Sequence, residues 1–521
     1  MDPETIYRRR WAILGVLVIS LLVVVLDNTI LNVALRVISD PRRGIGASQA
    51  ELAWAINSYT LVFAGLLFTW GVIGDRVGRK RILLIGLAVF GVGSLLSAYS
   101  QAPEQLIAAR ALMGVGGAAV MPQTLSIISN VFPSEERSRA IGIWAGAVGL
   151  AMGIGPPLGG LLLEHFWWGS VFLVNVPVVI VGILLMLFLV PESRNEHPGK
   201  VDPVGVVLSI VGLVLIVYGI ISAGERSSLA DPDVFVSLIA GVVVIAFFVR
   251  HEARSDHPAL DVRLFRDARM SVAVVAIMLM FFAMAGVLFF ITFYWQSVRG
   301  FTPLHAGLLV LPIAAAQVMV SPASPLLVER FGRKLVCAAG VLLTSGALGF
   351  YATLAENTPV WLVAVAFFVQ GGGMAMVMTP STGAIMASVS PAKAGSASSV
   401  QNIARQVGVA MGVAVLGALV STVYRSDMAP HLARLPEKAP ESATASIEAT
   451  LVFAHSLGPQ GTALIAPAKQ AFLHGMHLAS LCSTAIGLLT LVIVLVWMPN
   501  SGRIDRHERQ RHRRGEDTTD T

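Results

Sequence analysis

Fourteen long apolar runs set the main limit on what this chain can fold into. Each is at least about 17 residues long, the length at which a helix crosses roughly 30 Å of hydrocarbon. The 521 residues are 55% hydrophobic and only 13% charged, with a mean hydropathy of +0.74, which lies outside the range of soluble globular domains. The sequence therefore predicts an all-α polytopic membrane protein with 14 transmembrane helices. The predicted spans lie near 11–35, 52–73, 82–100, 105–131, 138–163, 171–190, 203–223, 233–249, 270–295, 306–328, 335–355, 360–387, 396–423 and 473–497.

The distribution of basic residues predicts which side of the membrane each loop faces. The N-terminal MDPETIYRRRW precedes an apolar run that is too long for the core of a signal peptide and has no small-residue cleavage site, so we interpret that run as the first span. With the N-terminus inside, the inner segments hold 26 Lys and Arg residues and the outer segments hold 9. Inner loops carry this excess in membrane proteins, so both termini are expected in the cytoplasm. The pI near 9.5 thus reflects topology, and we expect the lipid bilayer, and no nucleic acid, as a partner.

Two motifs recur at nearly the same offset and divide the chain into related halves. GDRVGRK at 74–80 returns as VERFGRK at 328–334, and VGLAMGI at 148–154 returns as VGVAMGV at 407–413. These offsets match spans 1–6 with spans 9–14 and leave two inserted helices between them. Parallel halves of this kind place a substrate site at their interface, near the bilayer midplane. The predicted domains are an N-terminal six-helix half at 1–190, two inserted helices at 191–255, a C-terminal six-helix half at 256–498 with an extracellular segment at 424–472, and a cytoplasmic tail at 499–521.

An aspartate stands inside the first apolar run, in VLDNTILNVAL. Asp27 lies about 12 Å below the outer end of its span, and Arg110 lies about 10 Å deep in span 4, at a rise of about 1.5 Å per residue. A charge at such depth costs several kcal/mol unless it is paired or reaches water, so Asp27 is a functional candidate with Arg110 as its partner. Low dielectric favours the neutral form of the carboxyl, whereas a nearby guanidinium favours the charged form. A change in their separation would make Asp27 a proton switch; the alternative is a fixed structural ion pair.

Several motifs together resemble those of one transporter family. LDNTILNVAL in span 1, GDRVGRKRIL after span 2, RALMGVGG in span 4 and GLAMGIGPPLGG in span 5 are similar to the drug:proton antiporters with fourteen spans, a family of the major facilitator superfamily. FLVNVP at 172–177 and GSASSVQNIARQVG at 395–408 are also similar to that family. The chain reads WWGSVF where most relatives have an Arg and a second Trp. That departure and the long outer segment resemble the subgroup that exports quaternary ammonium compounds and dyes.

The resemblance carries expectations about function and place. It implies that Asp27 and Arg110 occupy the proton-coupling positions, and that the chain lies in a bacterial plasma (inner) membrane. The substrates implied are lipophilic, mainly cationic drugs, dyes or antibiotics, exported by alternating access. We expect a monomer that needs no cofactor beyond protons as the coupling ion.

GDRVGRK is predicted to form a gate at the cytoplasmic face. Gly74 and Gly78 allow a tight turn and a close approach between helices. Asp75 can then face Arg79, Arg139 or the positive N-terminal end of a helix in the other half. Such contacts would hold the cytoplasmic side shut, and the resemblance implies that this state is the outward-open one. The predicted gate residues are Gly74, Asp75, Arg76, Gly78 and Arg79.

GLAMGIGPPLGG in span 5 combines small residues at four-residue spacing with two prolines. Small residues let helix backbones touch, and each proline removes a hydrogen-bond donor and bends the helix. The copy in the second half, VGVAMGVAVLG, lacks the Gly-Pro pair, which argues against a generic packing motif. The resemblance implies that this motif marks exporters working by antiport. Its residues are Gly149, Gly153, Gly155, Pro156, Pro157, Gly159 and Gly160.

Other polar and aromatic residues inside the spans are candidates for lining the substrate cavity. About half of such polar residues are expected to be hydrogen-bonding links between helices. Arg405, near the cytoplasmic end of span 13, is predicted either to reach the membrane surface or to close a gate. The cavity candidates are Asn28, Asn32, Asn57, Gln123, Trp295, Gln296, Gln370 and Asn402.

Three other classes of protein were compared with this sequence. An ATP-driven pump needs a phosphate-binding G-x-x-x-x-G-K-[ST] loop, and the chain has none. A membrane enzyme needs paired carboxylates or a histidine cluster. The histidines of this chain lie mostly in loops and Asp27 has no second deep acid beside it, so we expect no enzymatic activity. The spacing of Cys337 and Cys482 suits neither a metal site nor a disulfide framework. An uncoupled facilitator of the same fold, or a dedicated exporter of a single natural product or metabolite, remains the alternative.

Overall fold

The computed structural model describes residues 3–39, 44–47, 49–194, 202–226, 231–255, 262–389, 394–432, 446–458 and 461–499. Within these ranges, fourteen helical segments are long and apolar enough to cross a membrane, which confirms the predicted count and the all-α class. Helices satisfy their own backbone hydrogen bonds, which is why they suit a medium without water. The α-helices are α1 (Pro3–Ser39), α2 (Gln49–Val77), α3 (Arg79–Ala98), α4 (Pro103–Val131), α5 (Ser134–His165), α6 (Ser170–Leu173), α7 (Asn175–Leu189), α8 (Pro203–Arg226), α9 (Pro232–Arg254), α10 (Ala268–Phe293), α11 (Pro303–Leu308), α12 (Leu311–Phe331), α13 (Arg333–Tyr351), α14 (Val360–Ala387), α15 (Ala394–Leu432), α16 (Ile447–Ser456) and α17 (Thr462–Trp497).

Two predicted spans are interrupted helices. The sixth span consists of α6 and α7, which meet at Val174, and the tenth consists of α11 and α12. The ninth span, α10, ends in a turn of π-helix at Tyr294–Val298. The break at Val174 leaves Asn175 as the first residue of α7, well inside the membrane-spanning bundle.

The extracellular segment predicted at 424–472 is largely helical where it is described. α15 continues past the predicted boundary because Tyr424, Met428 and Leu432 recur every four residues and are all buried. Tyr424 donates a hydrogen bond of 2.6 Å to Thr450 in α16, a short helix that also packs against α17. Residues 433–445 lie outside the described ranges, as does the predicted tail from residue 500 onward.

The two groups of six spans pack mainly within themselves and meet along two seams. α2, α3 and α4 pack together in the first group, as do α10, α15 and α17 in the second. The first seam lies between α5 and α12, and the second between α2 and α15. The exact domain boundaries drawn from the sequence stay a prediction.

The inserted pair, α8 and α9, contacts helices of both groups. α8 packs against α2 and also against α15. Its contact with α2 is close, since a Cβ on Gly65 would lie 2.8 Å from Val214. Phe68 of α2 meets Phe248 of α9 edge to face, with ring centroids 5.6 Å apart, in a small apolar cluster that also includes Val400 of α15. The inserted helices therefore bridge the second seam.

Candidate functional site

Asp27 and Arg110 form a salt bridge inside the bundle. The Nη1 of Arg110 on α4 donates to Oδ2 of Asp27 on α1, and both side chains are 1% exposed. The matching depths calculated from the sequence had suggested this partner, and the structure brings the two residues together. Burial of a charged carboxylate is tolerated here because a guanidinium compensates it.

Asn175 is a further partner that the sequence analysis did not single out. Its side-chain amide donates to Oδ1 of Asp27 over 3.1 Å and to Ser94 Oγ over 3.1 Å. Ser94 in turn donates to the carbonyl of Phe172, just before the break between α6 and α7. The signal was present in the sequence as the asparagine within FLVNVP. Both oxygens of Asp27 are thus held, each from a different helix.

The aromatic ring of Tyr59 packs against the guanidinium of Arg110. The Cζ of Arg110 lies 4.4 Å from the centroid of the Tyr59 ring, and its Nε donates to the carbonyl of Ala55 over 3.3 Å. Asn28, next to Asp27 on α1, donates to the Tyr59 hydroxyl over 3.2 Å. Asn28 is exposed, whereas Tyr59 is buried, so this pair connects the buried site with an accessible surface.

This arrangement places one carboxyl group between a guanidinium and a side-chain amide donor. With Asp27 charged, the carboxylate and Arg110 neutralise each other, and Asn175 satisfies the remaining oxygen. Without the carboxylate charge the guanidinium of Arg110 would be uncompensated, and the attraction between α1 and α4 would be weaker. No cluster of metal-binding side chains occurs in the described part of the chain.

A second ionic cluster lies at the end of the bundle predicted to face the cytoplasm. Asp75 accepts hydrogen bonds from Nε and Nη2 of Arg79, at 2.8 and 2.7 Å. It also accepts from the backbone nitrogen of Gly395 at 3.0 Å, near the N-terminus of α15 in the other half. Arg139, which was also predicted as a partner of Asp75, has its Cζ 5.3 Å from the ring centroid of Trp11 instead.

Glycines permit the close contact around Asp75. Gly78 has φ +129°, which side chains rarely allow, and this turn places Arg79 beside Asp75. A Cβ on Gly71 would lie 2.7 Å from the carbonyl oxygen of Gly395, so the backbones of α2 and α15 nearly touch. Ser399 closes the same region by donating to the carbonyl of Leu67 over 2.9 Å. The GDRVGRK turn therefore joins the two halves at one end.

The glycines of α5 are divided between two neighbours. Gly149 and Gly153 lie against Gln317 and Ala314 of α12, in the opposite half. Gly155 and Gly159 lie against Thr29 and Ile30 of α1, next to the Asp27 site. Gly160 faces Leu304, and Pro156 and Pro157 lie against Gly307. The motif thus places α5 in contact both with the helix that carries Asp27 and with the other half.

The proposed cavity residues differ in their surroundings. Asn28 shares the Asp27 site, while Asn57 and Gln296 are half-buried. Four others are buried and have partners within the protein. Gln123 donates to the carbonyl of Trp70 over 2.8 Å, and Gln370 accepts a hydrogen bond of 2.7 Å from Tyr351. Asn402 donates to the carbonyl of Ser398 over 2.9 Å, and the ring of Trp295 stacks on that of Phe301 with centroids 5.4 Å apart. The side chain of Asn32 lies outside the described residues.

A membrane-spanning bundle of two related groups of helices, with a buried salt bridge between two helices of the first group, is the architecture of a transporter. The chain belongs to the Major Facilitator Superfamily, whose model matches residues 17–413. It is 36% identical over 489 residues to the multidrug efflux pump LfrA of Mycolicibacterium smegmatis, covering 93% of this chain and 96% of that protein. It is 34% identical over 497 residues to the methyl viologen resistance protein SmvA of Salmonella typhimurium, covering 94% and 98%.

A solved structure shares the fold. The human organic anion transporter MFSD10 superposes with a TM-score of 0.61 at 15% sequence identity, covering 95% of this chain and all of that one. At this identity the likeness shows the fold alone.

Proposed function

We propose that this protein exports lipophilic drugs, dyes or antibiotics from bacterial cells in exchange for protons. The observation that carries the proposal is the buried Asp27–Arg110 pair, held also by Asn175. An ionisable residue at this depth in a membrane is energetically unfavourable, so it is expected to have a function. Reversible binding of a proton is the function that we propose for Asp27. The two relatives that this chain matches over nearly their whole length are named as an efflux pump and a resistance protein.

The cycle proposed here uses protons as the coupling ion and needs no cofactor. A proton arriving from outside neutralises Asp27 and weakens its attraction to Arg110. The helices α1 and α4 then shift, and α5 follows because its glycines pack against α1. Opening of the contact between Asp75 and α15 exposes the cavity to the cytoplasm, where substrate enters and the proton leaves.

The setting proposed is the bacterial inner membrane, with both termini in the cytoplasm. The excess of basic residues in the inner segments supports this orientation. The protein is proposed to act as a monomer, since each half supplies one side of the transport pathway, with a lipophilic small molecule and the bilayer as its partners.

The deciding experiment measures proton movement and drug efflux together. Inside-out vesicles that contain the protein are energised, and uptake of ethidium is followed with and without a protonophore. Wild type should lose accumulation when the gradient collapses, whereas an uncoupled facilitator would transport equally in both conditions. A panel of unrelated toxic compounds separates a multidrug pump from a dedicated exporter, which would recognise one chemical class.

Asp27→Asn is the matched variant for this experiment, because it keeps the shape and removes the charge. It should abolish gradient-driven accumulation and still bind ethidium at equilibrium. Glu104→Gln, an exposed change in the first turn of α4, is the control and should behave as wild type. Full drug resistance and substrate-induced proton movement in Asp27→Asn would exclude the proposed role of Asp27.

A further inference from the structure

Arg405 on α15 is a buried cation whose surroundings differ from those of the other buried arginines. Three arginines are buried among the described residues: Arg79, Arg110 and Arg405. Arg79 pairs with Asp75, and Arg110 pairs with Asp27. Among these residues no carboxylate forms a salt bridge with Arg405, and its Nε has no hydrogen-bond partner although it is buried. An uncompensated guanidinium is costly in such a place, so a ligand that compensates it is the natural reason for its presence.

The neighbours of Arg405 come from both halves of the protein. Its Nη2 lies 3.9 Å from the sulfur of Met121 on α4, and its Cζ lies 5.9 Å from the ring centroid of Phe281 on α10. Arg405 is eleven residues from the start of α15 at Ala394, about 16 Å along the helix axis, and its side chain is buried in the bundle.

The internal repeat indicates that Arg405 faces the opposite half of the protein. The offset of 259 between VGLAMGI and VGVAMGV pairs Arg405 with Gly146 of α5. Gly146 lies against Gln317 and Val318 of α12, which belong to the opposite half. The equivalent position in the second half therefore also faces across the molecule, and there the chain carries a guanidinium where the first half has no side chain.

The charges of these buried side chains do not balance. The carboxylate of Asp27 compensates the guanidinium of Arg110, so Arg405 is left as an uncompensated positive charge among these three side chains. A cationic ligand beside Arg405 would be repelled. A ligand with an acidic oxygen would be attracted, and the guanidinium fork suits such oxygens well.

We infer that Arg405 anchors an acidic oxygen, a phenolate or a carboxylate, on an otherwise apolar aromatic substrate. Met121 and Phe281 would contact the apolar part of that molecule. This inference rests on the proposed export function for its physiological meaning and names a substrate class within it. Lipophilic cations remain substrates if they bind away from Arg405, and the charge of Arg405 should not increase their affinity.

The test is equilibrium binding to the full-length protein in lipid nanodiscs, without any proton gradient. The probes are alizarin, which carries acidic aromatic hydroxyl groups, its dimethyl ether, which does not, and ethidium. At a pH where alizarin is ionised, wild type should bind it about tenfold or more tightly than the ether, as expected for a charge-assisted hydrogen bond. Arg405→Gln should remove this preference, and Arg405→Lys should keep part of it.

Two comparisons keep the result unambiguous. Arg425→Gln, the same substitution at an exposed position on the same helix, should keep the preference for alizarin. Arg405→Gln should bind ethidium at least as tightly as wild type, which also shows that the variant is folded. Equal binding of alizarin and its ether by wild type, or an unchanged preference in Arg405→Gln, would overturn the inference. Neither result depends on proton coupling, so the export proposal is judged separately by the vesicle experiment.

Discussion

Asn175 donates its side-chain amide to Oδ1 of Asp27 over 3.1 Å, while Arg110 donates to the other oxygen of the same carboxyl. Three helices, α1, α4 and α7, therefore converge on one titratable group. The break at Val174 makes this possible, because it sets Asn175 at the start of α7, level with Asp27. The Asp27 site is consequently a junction of three helices in the first half as well as an ion pair.

Replacement of Asn175 by alanine tests this junction. Asn175→Ala should lower the rate of gradient-driven efflux about tenfold or more, since a hydrogen bond to a charged group is worth about 1.5–3 kcal/mol. Ethidium binding should change little, because Asn175 holds the carboxyl and is not proposed to touch the substrate. Efflux kinetics and equilibrium binding, measured on the same preparation, check both statements. Ser94→Ala, which leaves the contact between Asn175 and Asp27 in place, should be milder; an equal loss in both variants would contradict the direct role of Asn175.

Loss of the Asp75 charge should loosen the contact between the halves. Asp75→Asn removes the salt bridge with Arg79 and weakens the hydrogen bond from Gly395, so the population should shift toward a state open at this end. Spin labels at positions 81 and 387, both exposed, report the distance between the halves in a variant without Cys337 and Cys482. The mean distance should increase.

A control pair of labels distinguishes opening from general loosening. Positions 81 and 138 are both exposed and lie in the first half, so their separation should stay constant in Asp75→Asn. An unchanged distance between positions 81 and 387 would mean that the contact at Asp75 does not hold the end closed.

The glycines of α5 predict a contrast between two identical substitutions. In Gly153→Ala the new methyl group would overlap Ala314 of α12, a side chain too short to rotate away. Overpacking of this kind costs about 1–3 kcal/mol, so the midpoint of thermal unfolding should fall and transport should slow. In Gly160→Ala the new methyl group would lie 3.7 Å from Leu304, an ordinary contact, and both properties should match wild type. Wild-type stability and transport in Gly153→Ala would show that close packing of α5 on α12 is not required.

The number of deep acids predicts how the membrane potential acts on transport. The described residues bury three acids, and of these Asp27 lies deep in a span, while Asp75 and Glu252 lie near helix ends. One proton exchanged for a monovalent cation moves no net charge, so only the pH difference drives that exchange, at about 1.36 kcal/mol per unit. Exchange of one proton for a neutral substrate moves one net positive charge inward, and exchange for a monoanion moves two. The membrane potential contributes about 2.3 kcal/mol per 100 mV for each of these charges.

Proteoliposomes with the pH gradient and the potential imposed separately measure this dependence. Potential alone should leave efflux of ethidium unchanged and should stimulate efflux of alizarin. Strong stimulation of ethidium efflux by potential would require a second coupling proton, and efficient export of divalent cations would require the same.

The sequence allowed the spans and the Asp27–Arg110 pair to be predicted because both depend on position along a helix. Hydrophobic length identifies a span, and residue count gives a depth, so two charges at equal depth could be matched. Asn175 and Tyr59 were missed since their contacts depend on how each helix is rotated, which depth does not reveal. The outer part of α15 was also missed, because the average polarity of residues 424–472 hides the buried stripe of Tyr424, Met428 and Leu432.

The position of α8 has a consequence for how a lipophilic molecule reaches the pathway. α8 lies against α2 and α15, so it forms a wall between the lipid tails and one of the two seams. The seam between α5 and α12 relies instead on direct contacts such as Gly153 with Ala314. When the halves move relative to each other, α8 slides along at least one of its two neighbours, and it shields this seam for as long as it stays packed on both α2 and α15. Molecules dissolved in the bilayer would then enter laterally from the α5 side, which makes the two faces of this pseudo-symmetric protein unequal toward the membrane.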